Sequence, residues 1–149
     1  MEARLSPYKL APGTYQALST MEKYVKESGL EPPLLELVKM RASQINGCAF
    51  CLAMHSRAAR RAGESEDRLF LLNAWHEAPV YTPRERAALA WTEAVTLVSE
   101  THVPDEVFAE AKQHFSETEL VNLTMAVIAI NSWNRIAIAF RAQPQLGGN

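Results

Sequence analysis

Helix boundaries written into the local sequence constrain this chain more than any other feature. Thr82-Pro83-Arg84-Glu85 sets a capping threonine before a proline at the first helical position and a glutamate at the third, and Ser116-Glu117-Thr118-Glu119 is a second capping box. Pro32-Pro33 opens another helix, while Gly29, Asn46-Gly47 and Gly63 each follow an apolar-periodic stretch as a stop. Between these marks apolar residues recur at three- and four-residue steps, and nowhere do they alternate with period two for long enough to make a strand. The expected fold class is all-α.

The marks predict a first helix over 12–28, with Tyr15, Leu18, Met21 and Val25 on its apolar stripe, and a second from Pro32 to Asn46 carrying Leu34, Leu37, Val38 and Ile45. A third begins at or near Cys48 and runs to Ala62. A fourth starts at Ser65, holds Leu69, Leu72 and Trp75 and ends before Pro79. A fifth runs from Pro83 to about Ser99 or Glu100, a shorter one follows Val103-Pro104-Asp105, and the last and most apolar runs from Ser116 to about Phe140. That is six or seven helices joined by short connections in one domain over 1–149, followed by a frayed tail from Gln143 to Asn149.

A chain of 149 residues that is 48% apolar and 21% charged has enough material for one well-buried core. Its net charge of −2 is mixed along the length, with no basic stripe to hold nucleic acid. The longest apolar stretch, Leu120 to Ile130, is interrupted by Asn122 and Thr124 and is too short to span a bilayer. Met1-Glu2-Ala3-Arg4-Leu5-Ser6-Pro7 lacks the apolar run of a secretion signal, so the expected location is the cytoplasm. In that reducing compartment a close cysteine pair is catalytic or metal-binding more often than it is a staple.

Both cysteines lie in Ile45-Asn46-Gly47-Cys48-Ala49-Phe50-Cys51-Leu52-Ala53-Met54-His55. On a helix, residues three and four apart share a face with Cβ atoms about 5–6 Å apart, so Cys48, Cys51 and His55 fall on one line. The helix start favours an anion and lowers a thiol pKa, which points to Cys48 as an exposed thiolate. The i,i+4 relation to His55 points instead to Cys51 as the attacking sulfur, with His55 as its base and Cys48 resolving. Glu36, one helix earlier, is the candidate acid to orient that imidazole. Three readings stay open: a redox dithiol, which the placement favours; two inert buried thiols; and a zinc site built from Glu36, Cys48, Cys51 and His55. A thioredoxin-type pair needs a βαβ setting that this chain lacks.

The spacing Glu36-x11-Cys48-x2-Cys51-x3-His55 resembles the core motif of the AhpD-like alkylhydroperoxidases, in the carboxymuconolactone decarboxylase superfamily. Met40-Arg41-Ala42-Ser43-Gln44-Ile45-Asn46-Gly47-Cys48 and Asn131-Ser132-Trp133-Asn134-Arg135 are similar to that family as well. The resemblance implies an all-helical fold, a homo-oligomer (trimer or hexamer) and thiol-dependent reduction of organic hydroperoxides, reset by an external dithiol or protein reductant. It makes Cys48 and Cys51 the redox pair that closes to a disulfide, His55 the proton shuttle and Glu36 its orienting acid, with no cofactor and no metal. Phe50 departs from the pattern, because well-characterised members carry a second histidine there, and phenylalanine relays no proton. The decarboxylase branch lacks the cysteine pair, which argues against carboxymuconolactone as substrate. A general dithiol-disulfide oxidoreductase and an oligomeric scaffold are the alternative functions.

Other residues read as supporting parts. His76, His102 and His114 are expected at the surface or at helix ends, and Arg57, Arg60 and Arg61 on a face roughly opposite the cysteines. Trp91 and Trp133 read as core or interface anchors. Asn131 and Asn134 need partners if buried, and Phe50 and Met54 either line the thiol pocket or pack.

Overall fold

The computed structural model describes residues 2–144, and its ordered elements are all helical. In chain order they are α1 (Pro7–Leu10), α2 (Pro12–Lys26), α3 (Pro32–Asn46), α4 (Ala49–Arg61), α5 (Glu66–Leu71) with a 3-10 turn over Leu72–Ala74, α6 (Pro83–Thr96), α7 (Val98–Thr101), α8 (Asp105–His114) and α9 (Glu117–Ala139). Both predicted capping boxes form: the Thr82 and Ser116 hydroxyls accept from the Glu85 and Glu119 amides, and each glutamate accepts from the amide of its cap. Such caps contribute about 1 kcal/mol each, enough to fix where a helix begins.

The described residues hold nine α-helices rather than six or seven. α1 was not expected; its four residues bury nothing and show no period to read. The predicted fifth helix breaks at Leu97 into α6 and α7, and the first ends at Lys26 instead of Ser28. The fourth tightens into the 3-10 turn before Trp75. Of the tail expected to fray, Gln145 to Asn149 lie outside the described residues.

α3 is the central element. Leu34, Leu35, Leu37, Val38, Lys39, Met40, Ala42 and Ser43 are all buried, so nearly every face of the helix meets another element. One apolar cluster joins it to α2, α6, α8 and α9 through Val25, Leu34, Val38, Trp91, Leu123 and Val127. Another joins it to α4, α5 and α6 through Leu37, Met40, Leu69, Leu72 and Leu89. A third, smaller cluster between α3, α4 and α9 holds Ala42, Ile130 and Ala137 together with both cysteines.

Gly47 makes this arrangement possible. It takes φ +69° after α3, a left-handed conformation that a residue with a Cβ adopts at a cost. Its amide donates to Gln44 O at 3.2 Å and the Cys48 amide to Ser43 O at 2.9 Å, the paired bonds of a Schellman stop. The chain thus reverses within two residues, and α4 folds back along α3. Among the described residues no helix is long and apolar enough to cross a membrane.

Candidate active site

The Schellman turn delivers Cys48 to the N-cap of α4, with extended backbone (φ −83°, ψ 92°). Its sulfur accepts the Cys51 amide at 3.4 Å, doing the work of a capping oxygen. Cys48 was expected as an exposed thiolate in the first helical turn. It stands instead just before that turn and is only 1% exposed, because Ala42, Ile130 and Ala137 close over it.

Cys51 is equally buried but lies at the wall of a cavity of about 370 Å³. α4 supplies Phe50, Cys51, Met54 and His55 to that wall; Tyr8, Tyr15, Ser19 and Glu22 come from α1 and α2, and Trp133 and Ala137 from α9. Phe50 and Met54 therefore do line the thiol pocket. Trp133, expected as a core or interface anchor, is a cavity wall, whereas Trp91 is in the core with its indole N–H on Thr124.

The α3–α4 reversal brings Glu36 opposite His55, with Nδ1 2.8 Å from Oε2 and both side chains mostly buried. A neutral ring held this way donates through Nδ1 and leaves Nε2 as an acceptor on the side away from the carboxylate. Glu36 thus meets His55, Cys48 meets Cys51, and Cys51 and His55 share the cavity wall. Among the described residues no three of histidine, cysteine, aspartate and glutamate converge as metal ligands.

Both thiols are free, and they are electrostatically unequal. The Cys51 side chain hydrogen-bonds to the Cys48 sulfur and, against the cost of burial, brings the Cys48 thiol down to about 7; the Cys51 and Phe50 amides and the Asn134 side chain assist. That same hydrogen bond, with burial and the neighbouring Cys48 charge, pushes the Cys51 thiol up. The first proton to leave the pair is favoured to come from Cys48, while the open side is on Cys51. Thiolate absorbance of the reduced chain is expected to rise by one sulfur with a midpoint near pH 7, above which the charged form prevails, and to gain the second only in strong alkali. Two thiols titrating together at the ordinary value of 9.0 would contradict this coupling.

A polar network braces Cys48 from behind. Asn46 Nδ2 donates to Asn131 Oδ1 (3.0 Å) and Asn134 Oδ1 (2.9 Å), and Asn134 Nδ2 donates to Ser43 Oγ (3.0 Å). Asn131 continues it to Thr96 Oγ1, and Arg135 closes it on Asn131 Oδ1. Asn131 and Asn134 thus find their partners within the chain, and among the described residues no buried side-chain nitrogen or oxygen lacks one. An unsatisfied group there would cost about 1–3 kcal/mol, so the network fixes the α3–α9 register beside the sulfurs.

The remaining histidines stay away from the cavity. His76 stacks on Trp75, His102 caps α7 and His114 pairs with Glu110. Arg57 and Arg61 flank a neighbouring depression with Phe50 and Met54, and Arg60 pairs with Glu66. Sequence reading missed Tyr8, Ser19, Glu22 and the buried Lys39, which bonds the Glu22 carboxylate. Only Lys39 left a signal, a cation three residues after Glu36 in the otherwise apolar stretch Leu34 to Met40.

Residues 12–94 match the model of the carboxymuconolactone decarboxylase family, more than half of the chain. The chain belongs to the carboxymuconolactone decarboxylase family. Within that family it is AhpD-like by its relatives. It is 45% identical over 139 residues to the uncharacterized protein YdfG of Bacillus subtilis, covering 93% of this chain and 95% of that one. The crystal structure of ATU0492 from Agrobacterium tumefaciens, a protein of unknown function provisionally named an antioxidant defence protein AhpD, superposes with a TM-score of 0.96. The two are 46% identical, with 98% of this chain and all of that one covered. An uncharacterized peroxidase-related protein with an AhpD core from Ralstonia eutropha shares the fold at 19% identity and a TM-score of 0.82, over 93% of this chain and 74% of that one.

Proposed function

We propose that this carboxymuconolactone decarboxylase family member is a thiol-dependent peroxidase that reduces organic hydroperoxides through a Cys48–Cys51 dithiol/disulfide cycle. The observation that carries the reading is that Cys51 and His55 share the wall of one cavity, with Cys48 against Cys51 and Glu36 bonded to His55.

Transfer of the remaining proton from Cys51 to Cys48 moves the charge onto the sulfur that faces the cavity. The Cys51 thiolate attacks the terminal oxygen of the hydroperoxide, the O–O bond breaks, and Cys51 becomes a sulfenic acid while an alcohol leaves. The Cys48 thiol then attacks the Cys51 sulfur, forming the disulfide and releasing water. An external dithiol restores both thiols, and His55, oriented by Glu36, carries the proton that the pair loses on ionising again. No cofactor enters this cycle. The cavity is walled by carbon-rich side chains such as Phe50, Met54, Tyr15 and Trp133, which favours a bulky organic hydroperoxide over hydrogen peroxide. Both sulfurs are too buried for a folded protein disulfide, so the reductant is a small dithiol or one on an extended arm. The proposal includes a cytoplasmic location and assembly into trimers or hexamers.

A thiol count tests it. One equivalent of cumene hydroperoxide is expected to remove two free thiols per chain and add an intramolecular disulfide by mass spectrometry, faster than one equivalent of hydrogen peroxide does. Thiols that survive equimolar hydroperoxide would refute the reading.

A further inference from the structure

An alkoxide is a poor leaving group, so cleavage of an alkyl hydroperoxide by a thiolate gains from an acid placed at the departing oxygen. On α4 the candidate for that task is His55, one turn from Cys51 and committed through Nδ1 to Glu36. Phe50 and Met54 carry no proton, and the Glu22 carboxylate is bonded to Lys39. Three hydroxyls remain on the wall, those of Tyr15 and Ser19 from α2 and that of Tyr8 from the N-terminal strap. The strap is tied across the end of α9 by Arg4, whose amide donates to Phe140 O and whose guanidinium donates to Ala139 O, both at 3.1 Å.

Tyr8 stands on that strap and lines the cavity together with Cys51 and His55. Its ring meets Tyr15 edge-on at 5.1 Å between centroids and Trp133 at 6.4 Å, which fixes its direction. α1 buries no residue, so the fold has little need of a tyrosine here. We propose that Tyr8 is a catalytic residue of peroxide reduction, donating its phenolic proton to the alkoxide oxygen as the O–O bond breaks. This rests on the peroxidase reading above. Partial burial first, then the neighbouring Tyr15 and Cys51, hold the Tyr8 hydroxyl above its ordinary value, so it is protonated when needed.

The step balances. Cys51 sulfur gains the terminal OH and is oxidised to the sulfenic acid, the peroxide is reduced, and its RO oxygen takes the Tyr8 proton to leave as ROH. The phenolate regains a proton from water, which replaces the one the dithiol released on ionising. Tyr8 thereby supplies a proton donor that Phe50 does not.

Two oxidants test this by single-turnover oxidation of Cys51 in the parent chain and in Tyr8→Phe, which keeps the ring contacts. Cumene hydroperoxide expels an alkoxide that needs a proton; peroxybenzoic acid expels a carboxylate that does not. Tyr8→Phe is expected to slow the first reaction by about 100-fold, within the usual range for general acid catalysis, and to leave the second nearly unchanged. Equal slowing with both oxidants, or no slowing with either, would overturn the role of Tyr8 and leave the peroxidase standing. A parent chain inert to both would overturn the peroxidase reading and this proposal with it.

Discussion

Cys51→Ser is expected to abolish hydroperoxide reduction, by on the order of 10³-fold or more, the scale on which removing a nucleophile acts in covalent catalysis. Cys48→Ser is expected to behave differently. Treated with one equivalent of cumene hydroperoxide and no reductant, it should consume the oxidant once and stop with a sulfenic acid on Cys51, trapped by dimedone and located by peptide mass spectrometry. The asymmetry follows from two observations that pull apart. Charge is favoured on Cys48, where the Cys51 side chain, the Cys51 amide and Asn134 all stabilise it. Access belongs to Cys51, the sulfur at the cavity wall, while Cys48 lies under Ala42 and Ile130. Access decides, because a proton moves between neighbouring sulfurs far more easily than a hydroperoxide reaches a sealed one. In Cys48→Ser the neighbouring negative charge is also gone, so the Cys51 thiol loses one of the causes that push it up. A sulfenic acid found on Cys48 in the Cys51→Ser chain, with Cys51 inert in the other, would reverse the two roles.

The parts of this site that were legible in the sequence are those fixed by local rules. Asn46-Gly47 after an apolar stripe predicted a helix stop, and it forms as a Schellman stop that reverses the chain and carries Cys48 into the cap of α4. Given that hairpin, the meeting of Glu36 with His55 follows from spacing alone. The parts that were not legible depend on which elements pack together. Trp133 sits on an α9 whose residues are apolar nearly all round, so periodicity cannot say that its ring faces a cavity. Tyr15 lies on the apolar stripe of α2, but the stripe meets the site there and not the core. Lys39 and Glu22 come from different helices, and no rule of spacing pairs them. Tyr8 is on a four-residue helix, too short to show a period. Cys48 was placed one residue too far into its helix because a cap and a first turn look alike in sequence, and the difference exchanged an exposed sulfur for a sealed one.

Glu36→Gln is expected to slow disulfide formation on the order of 10³-fold, approaching the loss seen when the carboxylate of a catalytic triad becomes an amide. The substitution keeps the size of the side chain and its place on α3, so melting temperature should change little. Its effect is on the proton. The Glu36 carboxylate only accepts, and at 2.8 Å from Nδ1 it keeps a neutral His55 ring protonated on that nitrogen and basic at Nε2. A glutamine amide can turn its NH₂ towards the ring, donate to Nδ1 and hold the other tautomer, with the proton on Nε2 and no lone pair to receive another. Glutamine also removes the negative charge that stabilises the imidazolium once the ring has taken a proton. Both changes oppose ionisation of the dithiol, so the thiolate midpoint should move upward from near 7 and part of the lost rate should return as pH is raised. That recovery separates a proton-relay role from a packing role, since a cavity reshaped by glutamine would react slowly at every pH. Unchanged kinetics would make Glu36 a structural partner of His55 and leave activation of the thiols to the Cys48 cap and Asn134 alone.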